Sequence, residues 1–158
     1  MTETSLKQRI EPLNYKKSGA AKAMLAFQQE VNAGGLEHSL MELVKIRASQ
    51  MNGCAYCLDM HTKDARAMGE TEQRIYALNA WREAPFYTDR ERAALDWTEA
   101  VTRVGDTHVP DSVYDSTRKQ FSETEIVALT FAVVAINSWN RLAISFRFPA
   151  GEYQPQKH

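Results

Sequence analysis

Asn52-Gly53-Cys54-Ala55-Tyr56-Cys57-Leu58-Asp59-Met60-His61 contains both cysteines of this 158-residue chain, and a histidine follows four residues after the second. Side chains of these types can bind a metal, cross-link the fold or exchange electrons. On a helix at about 100° per residue, Cys54, Cys57 and His61 fall at about 0°, 300° and 340°, within an arc of about 60°. Cys54 would lie in the first turn, where free N–H groups and the helix dipole favour a thiolate. His61 is close enough to Cys57 to exchange a proton with it. A Cys-X-X-Cys pair with one acidified sulfur can attack a peroxide or a disulfide and then close on itself.

The competing chemistries meet specific obstacles. Haem attachment requires a histidine directly after the second cysteine, where Leu58 stands. Two cysteines cannot supply a four-thiolate iron–sulfur site. Zinc would need Cys54, Cys57 and His61 with the remote His38 as fourth ligand, and no second matched ligand pair exists. A disulfide used as a staple would close a very small loop, with little entropic gain.

The elements that must position these residues read as helices. Ala20 to Asn32 forms the first, with Ser18 able to cap it and Gly34-Gly35 ending it. Glu37 to Asn52 forms the next, with Leu40, Val44, Arg47 and Met51 on one stripe. Gly53 breaks it, Cys54 starts a third helix ending at Gly69, and a fourth follows Thr71 as far as Trp81. Thr88 with Glu91, and Ser122 with Glu125, are capping boxes opening two later helices, and Pro110 opens a short one through about Lys119. The run "VALTFAVVAI" is rich in β-branched residues, yet its capping box and length favour a buried helix. Clean strand alternation and hairpin dipeptides are absent from the sequence, so the fold class is all-α.

If Gly53 turns the chain into an antiparallel pair, Glu42 comes level with about Asp64, within a turn of His61. A carboxylate there can orient the imidazole and hold its proton. The alternative is a solvated Glu42 paired with Lys45. Aligning Glu42–Ile46 with Glu125–Leu129 sets Cys54 against Asn137 and Cys57 against Asn140, which suggests two degenerate helical repeats. Asn140 and Arg141 would then line a pocket beside the thiols, against the plainer reading of an interhelical polar contact.

The chain length suits one domain, residues 1–158, with a polar N-terminal arm over about 1–17. Nineteen Lys and Arg against 20 Asp and Glu give no electrostatic reason to expect nucleic acid. The N-terminus lacks the apolar stretch of a secretory signal, and the apolar run 128–136 is too short for a membrane span. The expectation is a cytoplasmic protein, where a close cysteine pair is more often catalytic or metal-binding than structural. Trp81, Trp97 and Trp139 read as core or interface, Met24, Met41 and Met51 as packing, and His38 and His108 as solvated.

"ELVKIRASQMNGCAYCLDMHTKDAR" resembles the core motif of the alkyl hydroperoxidase D-like branch of the carboxymuconolactone decarboxylase family. Glu42, Cys54, Cys57 and His61 match its pattern position by position, strongly over 36–69 and more weakly through "ERAALDWTEAVTRV" and "INSWNRLA". The resemblance implies a helical bundle assembling into trimers or hexamers, with thiol-dependent peroxidase activity and no cofactor or metal. Cys57 would then be the peroxidatic sulfur, and Cys54 would supply a proton and resolve the intermediate as a disulfide. Glu42 and His61 would relay protons, and a dithiol protein of thioredoxin-like or lipoyl type would reduce the oxidised pair. The helix dipole instead favours Cys54 as the more acidic sulfur. Peroxidase members carry a His immediately before the second cysteine, where this chain has Tyr56, a poor base at neutral pH. Two alternatives remain: a lactone-directed lyase that needs no thiols, and a zinc- or redox-regulated module without catalysis.

Overall fold

The computed structural model describes residues 7–155. Nine α-helices and one 3₁₀ turn occur among them, with no strand. In order they are α1 (Pro12–Lys16), α2 (Gly19–Asn32), α3 (His38–Asn52), α4 (Ala55–Ala67), α5 (Glu72–Tyr76), the 3₁₀ turn Leu78–Ala80, α6 (Asp89–Thr102), α7 (Val104–Thr107), α8 (Asp111–Arg118) and α9 (Glu123–Phe146).

Helix α3 is central, packing against α4, α6 and α9. Its buried side chains, apolar Leu40, Met41, Leu43, Val44, Ile46 and Ala48 with polar Glu42 and Ser49, surround the helix instead of forming one stripe. A helix buried on all sides needs neighbours on all sides. Val44 meets Ala94 and Trp97 of α6 and Leu129 and Val133 of α9 in one apolar cluster. Leu43 and Ile46 meet Leu78, Trp81 and Leu95 in a second. Full burial of a side chain such as Leu43 or Leu129 contributes about 1.5–3 kcal/mol.

Both capping boxes form. Thr88 and Glu91 exchange hydrogen bonds at 2.8 and 3.2 Å, as do Ser122 and Glu125. Ser18 precedes α2 but makes no side-chain cap bond. The helix expected over Thr71–Trp81 is broken into α5 and the 3₁₀ turn. Ile75, Leu78 and Trp81 must all reach the core, and a 3₁₀ turn places residues three apart on one side. The N-terminal arm is not irregular throughout. Within it α1 forms and Tyr15 packs edge-on against Phe146 and Phe148, while residues 1–6 lie outside the described ones. Trp81 and Trp97 are buried, Trp139 is half-buried on Gln28, and His38 and His108 are exposed.

The apolar run noted in the sequence belongs to a longer element. All 24 residues of α9 form one helix, and by length and mean hydropathy of 1.4 it could cross a bilayer. Its inner face is used within the fold, against α3 and α6, and Asn137 and Asn140 point polar groups inward from it.

Candidate active site

Gly53 ends α3 in the left-handed conformation, at φ 69°, and the chain reverses into α4. Only glycine adopts this geometry without steric cost. The turn makes Cys54 the N-cap of α4, one residue before the helix proper, with the Cys57 backbone N–H donating to its sulfur at 3.4 Å. Ser, Thr, Asp or Asn usually fills this position. A cysteine there places its sulfur at the positive end of the helix.

Both thiols are free and buried, and they hydrogen-bond to each other. The S–H of Cys57 is the principal influence drawing the Cys54 thiol down to about 7, against the opposing effect of burial. Backbone N–H groups of Cys57 and Tyr56 and the side chain of Asn140 assist. The same shared proton pushes Cys57 up, followed by burial and the charge on Cys54. Of the two sulfurs, Cys54 is therefore the one that ionises first.

Glu42 reaches the site from α3. Its Oε2 lies 2.9 Å from His61 Nδ1, and Lys45 Nζ donates to its Oε1 at 2.7 Å. Glu42 is 6% exposed, so it is not the solvated carboxylate of the alternative reading, although the Lys45 pairing that reading foresaw is present. Burial raises its carboxyl, but hydrogen bonds and charges from His61 and Lys45 outweigh burial and hold it below the usual range. The pairing with Glu42 fixes the imidazole with Nδ1 as the bonded nitrogen. Glu42 also lines a cleft of about 280 Å³ with Ser39, Met68, Arg74 and Glu91.

Asp64 stands beside this pair, as the antiparallel register required. Ligand atoms of Glu42, His61 and Asp64 lie within 4.8 Å of one another, whereas among the described residues Cys54, Cys57 and His61 do not all converge to that distance. Each member of the carboxylate–imidazole cluster already has a protein partner, with the Tyr153 hydroxyl donating to Asp64 at 2.7 Å. Tyr56 lies edge-on to Phe148 at 5.4 Å, and burial, followed by the charge of the thiol pair, raises its phenol, which stays protonated at neutral pH.

Two features were not found by sequence reasoning. Residues 147–155 run back over α4, where Lys63 donates to the carbonyls of Gly151 and Tyr153, and Asp59 accepts from the Gly151 N–H. This strap brings Phe148 against the cluster holding both cysteines. Ser49 and Asn52 join a buried polar chain with Asn137 and Asn140. Asn140 donates to Ser49 across the helices and lowers both thiols, so the pocket residue and interhelical polar contact foreseen as alternatives are the same residue. Asn137 and Asn140 lie within unbroken α9, whereas Cys54 and Cys57 open a new helix after Gly53.

Fold and site define an all-helical protein with a buried dithiol at a helix N-terminus and a carboxylate–histidine pair on the same two-helix unit. The carboxymuconolactone decarboxylase family pattern matches residues 19–100, and the chain belongs to that family, which includes enzymes. It is 47% identical over 124 residues to protein YdfG of Bacillus subtilis, covering 78% of this chain and 84% of that one. A crystal structure of a protein of unknown function from Agrobacterium tumefaciens, whose name proposes an AhpD-type role in antioxidant defence, superposes with TM-score 0.88. The two share 45% identity over 93% of this chain and 100% of that one. The debrominase Bmp8, in complex with 2,3,4-tribromopyrrole, shares the fold at TM-score 0.74 and 14% identity, over 95% and 94% of the chains.

Proposed function

We propose that this protein is a thiol-dependent peroxidase that reduces organic hydroperoxides through the Cys54–Cys57 pair and serves antioxidant defence in the cytoplasm. The observation that carries the reading is the pair of free, buried sulfurs at a helix N-terminus, with the Glu42–His61 pair on the same helices. In the resting pair Cys57 holds the proton and Cys54 the charge. Passing that proton to Cys54 makes Cys57 the thiolate. Cys57 attacks the outer peroxide oxygen, the O–O bond breaks, and the leaving alkoxide takes the proton from Cys54. The products are an alcohol and the Cys57 sulfenic acid. The Cys54 thiolate then attacks Cys57, forming the S–S bond and releasing hydroxide, which His61, backed by Glu42, protonates to water. A dithiol protein of thioredoxin-like or lipoyl type reduces the disulfide by exchange. The active species is a homotrimer or hexamer.

The first experiment is a free-thiol count with intact mass on reduced protein, before and after one equivalent of cumene hydroperoxide. Loss of both thiols and of two hydrogens is expected, followed by steady turnover when a dithiol is supplied. Thiols that stay reduced would overturn the peroxidase reading. Lactone turnover that survives alkylation of both thiols would replace it with a lyase.

A further inference from the structure

The buried polar chain beside the thiols has a direction that two groups fix. The Arg141 guanidinium only donates, and its Nη1 meets the Asn137 Oδ1 at 3.0 Å and the Asn137 carbonyl at 2.9 Å. The Asn137 side-chain atom facing Arg141 is therefore oxygen, and its amide nitrogen faces the other way. There it meets the Val133 carbonyl at 2.9 Å, which only accepts, and Thr102 Oγ1 at 3.0 Å. Both ends agree on the same orientation.

That orientation propagates. Asn52 Nδ2 sits between Asn137 Oδ1 at 3.0 Å and Asn140 Oδ1 at 2.9 Å. Because the Asn137 oxygen can only accept, Asn52 must present its amide nitrogen, and Asn140 must answer with oxygen. The Asn140 amide nitrogen then donates to Ser49 Oγ at 3.0 Å, on the side of α9 where Ile136 and Ala143 pack with both cysteines, and it lowers both thiols. Rotating Asn140 by half a turn would set two amide nitrogens against each other in the interior. Leaving a buried donor unsatisfied is costly, so the network holds Asn140 in the observed orientation.

We propose that Asn140 is a further catalytic residue of the dithiol centre, whose amide N–H holds the negative charge as it passes between Cys54 and Cys57. Asn137 and Asn52, anchored by Arg141, are positioning residues that keep its donor side toward the sulfurs. The role rests on the reading of the pair as the reacting group. Asn140 has zero exposure, and its helical neighbours Ile136 and Ala143 belong to the apolar cluster that contains both cysteines. In such a dry, packed setting a fixed dipole is worth more than in water and needs no reorganisation during reaction. Cys54 has the N–H groups of the α4 terminus in addition, so the Asn140 donor matters most when Cys57 carries the charge. Tyr56, a neutral phenol, and the Glu42–His61–Lys45 group are the other titratable groups near the pair.

The test is the ultraviolet thiolate absorbance of the reduced full-length protein against pH, with the iodoacetamide alkylation rate as a second readout. Asn140→Leu and Asn52→Leu are compared with the unaltered chain, each checked for retained helical signal. Neither substitution changes charge. Asn140→Leu is expected to raise the titration midpoint by about one unit, which is about tenfold less thiolate well below the midpoint. Asn52→Leu, which leaves Asn140 in place but frees it to rotate, is expected to shift the midpoint the same way by less. An unchanged midpoint in either folded variant overturns the proposal, and Asn52→Leu decides alone if Asn140→Leu does not fold. Neither readout uses peroxide. A protein inert to hydroperoxide would sink the peroxidase reading while leaving this measurement intact, and an unshifted midpoint with normal turnover would sink only the role of Asn140.

Discussion

Glu42 Oε2 stands 2.9 Å from His61 Nδ1 across the α3–α4 turn, although 19 positions separate them in sequence. Lys45 on the other carboxylate oxygen offsets the charge that burial would otherwise penalise. Glu42→Gln keeps the shape but removes the carboxylate charge that faces His61 Nδ1. Peroxide turnover is expected to fall by about 10²-fold or more, with both thiols still titratable. Steady-state rates with excess dithiol, alongside a thiol count, check this.

The same pair predicts acid behaviour. The Glu42 carboxyl is held below its ordinary value in the folded state by His61 and Lys45 despite burial. A depressed folded value means the stabilisation is fully present above the unfolded value, about 4.3. It is lost as pH falls through the lower folded value. Thermal midpoints of the unaltered chain should therefore drop more steeply below about pH 4 than those of Glu42→Gln. Parallel curves would mean that the pairing contributes nothing to acid stability.

Much of this pair was legible in the sequence because its geometry is local. Gly53 forces the reversal, and helical rise then places Glu42 level with Asp64 whatever the rest of the chain does. Capping boxes at Thr88 and Ser122 are equally local and formed as read. Ser18 carried the right residue type for a cap, but its side chain made no bond. The break between α5 and the 3₁₀ turn depends on Leu78 and Trp81 finding the core, which no window of sequence contains. The strap was invisible for a related reason. Its hydrogen bonds to Asp59, Lys63 and Asp64 span 88 to 92 residues, and "GEYQPQKH" has no period from which to read them.

Separate cysteine variants should titrate in opposite directions. Cys57→Ala removes the S–H donor that is the main cause of the low Cys54 value, so the Cys54 midpoint is expected to rise from about 7 toward the free-thiol value of about 8.5. Cys54→Ala removes both the shared proton's acceptor and the neighbouring charge, so the Cys57 thiol should fall from its raised position. Alkylation rates against pH in the two variants check both shifts. A Cys54 midpoint in Cys57→Ala that stays at its value in the unaltered chain would show that the sulfurs titrate independently and that no proton is shared.

Phe148 covers the thiol cluster from the strap, edge-on to Tyr56 at 5.4 Å. Truncating it opens the site without touching the groups that set the charge. Phe148→Ala is expected to speed reaction with a bulky maleimide more than with iodoacetamide, while the alkylation pH midpoint stays near the Cys54 value of about 7. A shifted midpoint with unchanged selectivity would mean that Phe148 tunes the sulfurs electrostatically instead of limiting access.

Helix α9 leaves Val127, Phe131, Val134 and Ile144 exposed on its outer side, and Leu25 of α2 is exposed as well. Their hydrophobic area is unsatisfied within one chain, as expected of a surface shared between copies in the proposed assembly. Phe131 is half exposed and touches Phe27 edge-on at 6.0 Å, so a change there disturbs the outer face more than the core. Placing a charge at its centre would face the same charge on each neighbour and desolvate it on assembly. Phe131→Glu is therefore expected to move the protein toward monomer in light scattering at micromolar concentration, with helical content retained. An unchanged mass would place the subunit contact on another face.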